Sequence, residues 1–425
     1  MPEPLSLEIL LHEQPIGSLS LLEGDRSILS FYPAYIEQDD RPVLSLSFKD
    51  RYGQLITGQR LYQTRLMPFF SNLLPEGPLR TYLAAMAGVK PVREFFLLWA
   101  LGEDLPGAVR VRAHSGHARW PPPALSARTA VESDPAQPRR LLRFSLAGVQ
   151  LKFSAVMGAR GGLTIPAQGV GGGWIIKLPS AQYPGVPENE YSMMTLARMV
   201  GIEVPAFELV DLDRVANLPE GIERIGAKAF AIRRFDRADD GRAVHIEDFA
   251  QVFGVYPDEK YGRASARNLA TVIGTECGLG DVVEFIRRLV FNTLIGNADM
   301  HLKNWSLIYP DGRHARLAPG YDVVSTLAYL PDDRAALKVS RSARFDAFTL
   351  EELAHLAEKA RLPRQLVLDT ARETVERFRH VWDAEKQHLP MASSVVERIE
   401  WHLGRVPLVY EDVTLPDTSN RTRTG

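Results

Sequence analysis

Between Leu5 and Phe48 short apolar stretches (IGSLSLLE, ILSFYP and VLSLSFKD) alternate with turn residues, and the pattern predicts a small antiparallel sheet. From Ser71 to Met86 and from Arg93 to Gly102 the apolar residues recur at three and four positions instead, which predicts helices punctuated by Pro75, Gly77 and Pro106-Gly107. This part reads as a compact α+β unit ending near Arg112. Over residues 113–140 the periodicity fades among Pro121, Pro122, Pro123, Pro135 and Pro138, so a linker is expected. Beyond it, Leu141 to Met157 and Gly162 to Leu178 read as strands broken by glycine turns, Glu188 to Val200 as a helix, and Ala227 to Arg234 as a further strand. From about Asp281 the chain turns mainly helical, with Val282, Phe285, Ile286, Leu289, Val290, Thr293 and Leu294 on one face. A polar tail is expected from about Leu415. Strands first and helices afterwards make an α+β arrangement, compatible with two lobes.

Composition narrows the function classes. With 425 residues, 45% hydrophobic and 24% charged, the chain can bury more than one core, and two or three domains are expected. Lys plus Arg is 50 against 52 for Asp plus Glu, a net charge of −2, which excludes a chain-wide basic field for holding nucleic acid. Any DNA contact is then local or made through a partner. The single cysteine, Cys277, excludes an internal disulfide, and no CxxC or Cys/His cluster offers a zinc site, which fits a reducing cytosol. No basic n-region precedes an apolar stretch, and the run Phe95–Leu101 is too short to cross a bilayer. The expectation is a soluble, cytoplasmic protein.

The densest polar cluster is Gly296-Asn297-Ala298-Asp299-Met300-His301-Leu302-Lys303-Asn304, directly after the apolar helix. Phosphoryl transfer needs a carboxylate to orient or deprotonate the attacking hydroxyl and an oxygen ligand for the metal that neutralises phosphate charge. Asp299 suits the first task and Asn304 the second, at the spacing of protein-kinase catalytic loops, while Lys303 can hold the transferring group. Alone, such a loop would serve equally well as a solvated cap. Asp322, in Tyr321-Asp322-Val323-Val324-Ser325, stands where a second metal-binding carboxylate belongs, although a single Asp after Tyr is more often a turn residue. In Trp174-Ile175-Ile176-Lys177-Leu178-Pro179 one lysine interrupts an apolar strand and can reach ATP phosphates, with Glu190 on the next helix to orient it, although most lysines at strand ends face water. Gly171-Gly172-Gly173 reads as a flexible turn, because no helix follows it. The small-residue turn Ser145–Lys152 can bind phosphate through backbone N–H groups or serve as a plain hairpin. Arg233-Arg234-Phe235-Asp236-Arg237 closes the next strand, where a kinase hinge would meet adenine through backbone groups, although by itself it reads as a charged strand end.

In order, S-x-A-G-V-Q-x-K, I-I-K-L-P, E-N-E-Y, R-R-F-D-R, G-N-x-D-x-H-x-K-N and Y-D-V-V-S resemble the HipA-like kinases of bacterial type II toxin–antitoxin modules. Phe69–Gly77 and Pro106–Val109 are similar to that family's N-terminal subdomain, so the resemblance spans residues 5 to 400 apart from the linker. It implies a two-lobed protein-kinase-like fold with an N-terminal α+β subdomain (1–112), a linker (113–140), a kinase domain (141–414; sheet lobe about 141–240, all-helical C-terminal lobe about 241–414) and a tail (415–425). It further implies that Asp299 is the catalytic base, that Asn304 and Asp322 hold Mg²⁺, that Lys177 contacts the ATP phosphates and that His301 lies in the nucleotide pocket. Ala147, Gly148, Val149, Gln150 and Lys152 would belong to the phosphate loop, and Arg233 and Phe235 to the hinge. Arg233 departs from the glutamate or other hinge residue expected there. Ser145 matches a serine that this family autophosphorylates, and phosphate there should eject the loop and silence the enzyme.

The implied function is a serine/threonine protein kinase toxin that phosphorylates a serine of a protein target, an aminoacyl-tRNA synthetase such as glutamyl-tRNA synthetase, and arrests growth. A HipB-like helix-turn-helix antitoxin is the implied partner, with operator DNA reached through it. The competing readings are an idle nucleotide-binding corepressor, against which stand all four of Lys177, Asp299, Asn304 and Asp322, and a small-molecule kinase, which leaves the N-terminal subdomain and Ser145 without a purpose.

Overall fold

A computed structural model describes residues 5–58, 60–114, 152–157, 163–165, 172–218, 221–330 and 334–411. The chain divides into two compact units, the first from the described parts of Met1–Tyr191, Val204–Arg263 and His301–Asp322, the second from those of Ser192–Glu203, Ala264–Met300 and Val323–Gly425. Ser145, Ala147, Gly148, Val149 and Gln150 lie outside the described residues.

The first unit begins with β1 (Leu5–Leu11), β2 (Gln14–Leu22) and β3 (Arg26–Phe31), followed by the short helix α1 (Pro33–Ile36) and by β4 (Tyr62–Gln63). The helices α2 (Pro68–Leu73), α3 (Gly77–Met86) and α4 (Glu94–Leu101) follow, and β5 (Val109–Ala113) completes a sheet of order β4-β3-β2-β1-β5. Its pairings are antiparallel, and cross-strand partners such as Leu7–Leu19, Leu19–Leu29 and Ile9–Val111 are all buried. The period of two in the sequence is thus one face of this sheet. Helix α4, EFFLLWAL, is apolar on every side apart from Glu94 and lies inside the core with Phe69, Phe70 and Phe48. The stretch VLSLSFKD, expected as a strand, instead forms a 3₁₀ turn over Leu46–Phe48. Its polar alternation is used locally: Ser45 Oγ accepts from the Ser47 N–H at 3.1 Å, and the buried Glu247 carboxylate accepts from the Leu46 N–H at 3.0 Å and from the Ser45 hydroxyl.

The second sheet holds β6 (Lys152–Met157), β7 (Leu163–Thr164), β8 (Trp174–Lys177), β9 (Phe207–Asp211), β10 (Val215–Ala216) and β11 (Lys228–Arg233), in the order β10-β7-β6-β8-β11-β9. Phe153, Ile176, Ala229 and Ala231 form its apolar face, and Leu79 and Tyr82 of α3 pack on it. Helix α5 (Val186–Val200) follows β8 and belongs to the first unit as far as Tyr191. The expectation of an all-helical C-terminal lobe meets one departure, the small sheet of β12 (His245–Asp248), β13 (Ser306–Tyr309) and β14 (Arg316–Leu317). The helix α6 (Phe249–Val252) starts from a reciprocal cap in which Asp248 Oδ1 accepts from the Gln251 N–H and Gln251 Oε1 from the Asp248 N–H, both at 2.8 Å.

The second unit is helical: α7 (Ala266–Glu276), α8 (Leu279–Leu294), α9 (Leu350–Ala360), α10 (Arg364–Glu385) and α11 (Ser393–Leu403). On α8 the expected face is buried except for Leu289, which is half-buried, and Phe291 meets Phe378 of α10 edge-on at 5.7 Å. Among the described residues no helix is long and apolar enough to cross a membrane.

Candidate active site

Strand alternation sends Ile176 into the apolar core and its neighbour Lys177 to the opposite side, over the Phe230 ring. Lys177 is 7% exposed, and its ammonium donates to Glu190 Oε1 of α5 and to Asp322 Oδ1. Burial alone would lower the lysine, but the two carboxylates raise it and keep it charged. Burial would likewise raise Asp322, yet the Lys177 ammonium holds it well below the carboxylate range. Burial and the neighbouring Asp322 charge push Glu190 up to about 7. The Asp322 backbone sits in the left-handed region, φ 53°, which costs about 1 kcal/mol and aligns with the tendency of strained residues to sit at functional sites. Lys152, exposed, faces Lys177 across the β6–β8 ladder.

The polar loop after α8 is fixed in two parts. In the second unit, Gly296 adopts φ 63° and abuts the Leu327 side chain where any Cβ would stand, so only glycine fits. Asn297 donates to Asn292 Oδ1 at 2.9 Å, and its own Oδ1 accepts from the Asp299 N–H at 3.1 Å. The Ala298 N–H donates to Thr326 Oγ1 at 2.9 Å. Asp299 is half-buried on a backbone set by Asn292, Asn297 and Thr326.

In the first unit, His301 is buried edge-on to Tyr261 at 5.1 Å, and its Nδ1 has no hydrogen-bond partner among the described residues. Burial, reinforced by the Lys260 cation, lowers it to about 3, so the ring is neutral and its orphan nitrogen is ready for a ligand. A 3₁₀ turn over Leu302–Asn304 follows. The Lys303 ammonium donates to the Asn72 carbonyl at 2.9 Å and lies 3.0 Å from Glu76 Oε1 and 3.7 Å from Asp248 Oδ2. The Lys303 carbonyl accepts from the Tyr321 hydroxyl at 2.8 Å, and Asn304, half-buried, donates its N–H to the His301 carbonyl at 2.9 Å.

At the end of β11, Arg233 donates its N–H to the Ala206 carbonyl at 2.8 Å and pairs with Asp239 through its guanidinium. Phe235 packs on Tyr321 with ring centres 5.4 Å apart, beside Asp322. Between them, buried Arg234 is held by Asp104 at 2.9 Å and Asp236 at 2.8 Å, and Arg237 joins the same two carboxylates. The structure therefore brings together Lys177, Glu190 and Asp322, and places Phe235 against the residue preceding Asp322. Lys303 is attached to Glu76, Asn72 and Asp248, residues to which sequence reading gave no role. Only Asp248 left a local signal, the D-x-x-Q cap.

A triphosphate nucleotide fits these residues: Lys177 is a buried cation and His301 presents an orphan ring nitrogen. Asn304 and Asp322 supply the hard oxygens that Mg²⁺ prefers, but among the described residues no group of three His, Cys, Asp or Glu is arranged for a metal. Phosphate and water oxygens would have to complete its shell.

The family model of the HipA-like C-terminal domain matches residues 144–382, and that of the HipA N-terminal domain matches residues 7–112. The protein Y4dM of Sinorhizobium fredii, which carries a kinase name, is 56% identical over 414 residues, covering 97% of this chain and 99% of that one. The serine/threonine-protein kinase toxin HipA of Shewanella oneidensis is 26% identical, covering 88% of each chain. A chain in the solved complex of Shewanella oneidensis HipA, HipB and its operator DNA superposes with a TM-score of 0.71 at 21% identity, covering 94% of this chain and 96% of that chain, which shows a shared fold.

Proposed function

Since the chain belongs to the HipA family of kinases, we propose that it is a toxin kinase transferring the γ-phosphoryl group of ATP to a serine of another protein. The observation that carries this reading is the buried Lys177 ammonium between Glu190 and Asp322, a charged group kept inside the protein by two acids and suited to phosphate oxygens. Asp299 would accept the proton of the attacking serine hydroxyl, and Lys303 adds a cation to the same loop. Neutral His301 would hydrogen-bond the nucleotide, with Phe235 and the backbone at Arg233 beside the adenine. Asn304 and Asp322 would hold Mg²⁺, which neutralises phosphate charge when bound. Lys152, with Ala147, Gly148, Val149 and Gln150, would contribute the phosphate loop, and Ser145 the autophosphorylation site.

An aminoacyl-tRNA synthetase is the proposed target. A HipB-like antitoxin and, through it, operator DNA are the proposed partners, supported by the HipA–HipB–DNA assembly that shares this fold. The test is incubation of the protein and its Asp299→Asn variant with labelled ATP and Mg²⁺, with mapping of the labelled residue. Label on Ser145 or on an added synthetase, absent in the variant, is expected. Bound ATP with no transfer by a protein shown to arrive unphosphorylated would overturn the kinase reading.

A further inference from the structure

Glu76 plays no part in the proposed phosphoryl transfer, yet two lysines converge on it. Its Oε1 lies 3.0 Å from Lys303 Nζ and its Oε2 accepts from Lys260 Nζ at 2.8 Å. The two lysines belong to segments that are themselves joined, because the Leu302 N–H donates to the Lys260 carbonyl at 3.3 Å. Glu76, Lys260 and the turn Leu302–Asn304 therefore form a closed circuit of contacts. With Asp248, whose carboxyl burial raises, it sets two lysines against two acids. The base of this circuit is firm. Glu76 is the N-cap of α3, and Asn72 Nδ2 donates to the Val255 carbonyl at 2.7 Å, while Gln251 donates to the Phe69 carbonyl at 3.1 Å. At the other end, the Lys303 carbonyl takes the Tyr321 hydroxyl, next to Asp322, and Asn304 follows Lys303 in the chain.

We propose that Glu76 is a positioning residue: by clamping Lys303 and Lys260 it fixes the Leu302–Asn304 turn, which carries Asn304, and Tyr321, which precedes Asp322, the two side chains assigned to Mg²⁺. The region matched by the HipA N-terminal domain thereby completes the catalytic machinery. The inference rests on the kinase reading for its catalytic consequence, while the clamp itself is physical and separately measurable. Burial alone would raise the Glu76 carboxyl, but Lys303 and Lys260 bring it down to about 2, so the clamp is charged throughout the physiological range.

Glu76→Gln keeps the shape and removes the charge. Amide exchange of the full chain is expected to quicken at Leu302 and Asn304 and to stay unchanged in β1, β2 and β5. The kcat for phosphoryl transfer should fall about tenfold with KM for ATP within about twofold. In a Lys303→Met background the same substitution should cost less than in the parent, because only the Lys260 contact is left to lose, and Glu76→Asp, which retains the charge, should recover part of kcat. Unchanged exchange at Leu302 and Asn304 overturns the clamp, whatever the activity. Faster exchange with an unchanged kcat, or costs that add in the double variant, overturns the positioning role. If the parent transfers no phosphate, the kinase reading falls with it and the exchange result alone decides the clamp.

Discussion

Lys177 and Lys303 each sit among two carboxylates, and Glu190 and Glu76, one acid from each pair, respond in opposite directions. Glu190 shares one lysine with Asp322 inside the protein and is pushed up to about 7, whereas Glu76, one-third exposed, has two lysines and is drawn down to about 2. The difference is stoichiometry and burial. One cation between buried Glu190 and half-buried Asp322 leaves a negative charge that burial penalises most at Glu190, so that acid keeps its proton to higher pH. Two cations on a half-solvated acid leave it fully ionised. The first cluster is poised to exchange a partner, which suits a site that must admit phosphate, while the second is balanced and suits a fixed support.

The largest effect is expected where the shared cation is removed. Lys177→Met should lower phosphoryl transfer by at least about 10²–10³-fold, because one fixed cation for the phosphates is lost and Glu190 and Asp322 are left without it. Activity near that of the parent would remove the first cluster from the chemistry. Arg234→Met tests the third cluster, in which Arg234 and Arg237 meet Asp104 and Asp236. It is balanced like the Glu76 cluster but buried like the Lys177 one, and it should lose about 3–5 kcal/mol of stability in denaturant unfolding. A loss of activity at unchanged stability would contradict a supporting role.

Asp322→Asn sharpens the stoichiometric argument. With the like charge gone, Glu190 has Lys177 to itself, and its titration, followed by the carboxyl infrared band, should move from about 7 toward 4.5. The smallest effects lie in the pH dependence of stability. The folded Glu76 carboxyl lies below its ordinary 4.5, so its contribution is present above pH 4.5 and is lost as pH falls toward 2. Glu190 has the opposite sign: its folded value lies above 4.5, so stability falls as pH rises from 4.5 through 7. Glu76→Gln should flatten the acid limb of the unfolding curve and Glu190→Gln the neutral one, and equal slopes in both would dissolve the comparison.

Periodic patterning was legible wherever one face of an element is buried. The apolar face of α8, the alternation of β1 to β3 and the single lysine in β8 were all read from spacing, because local geometry repeats with the chain. VLSLSFKD was misleading for the same reason: its alternation matched a strand, but Glu247 supplied hydrogen bonds from 201 positions away and turned the backbone into a 3₁₀ turn. The Lys177–Glu190 pair was readable because the two lie on consecutive elements, only 13 positions apart.

Sequence alone determined the α+β succession, the family resemblance and the polar residues of the loop after α8, since each depends on residue type and short spacing. Tertiary structure decided the partners of Lys303, among them a carbonyl 231 positions away, and with them the opposite behaviour of Glu76 and Glu190. Ion pairing has no period along a chain. Any lysine can meet any carboxylate, and only packing decides which ones meet, how many share a charge and how much water remains around them.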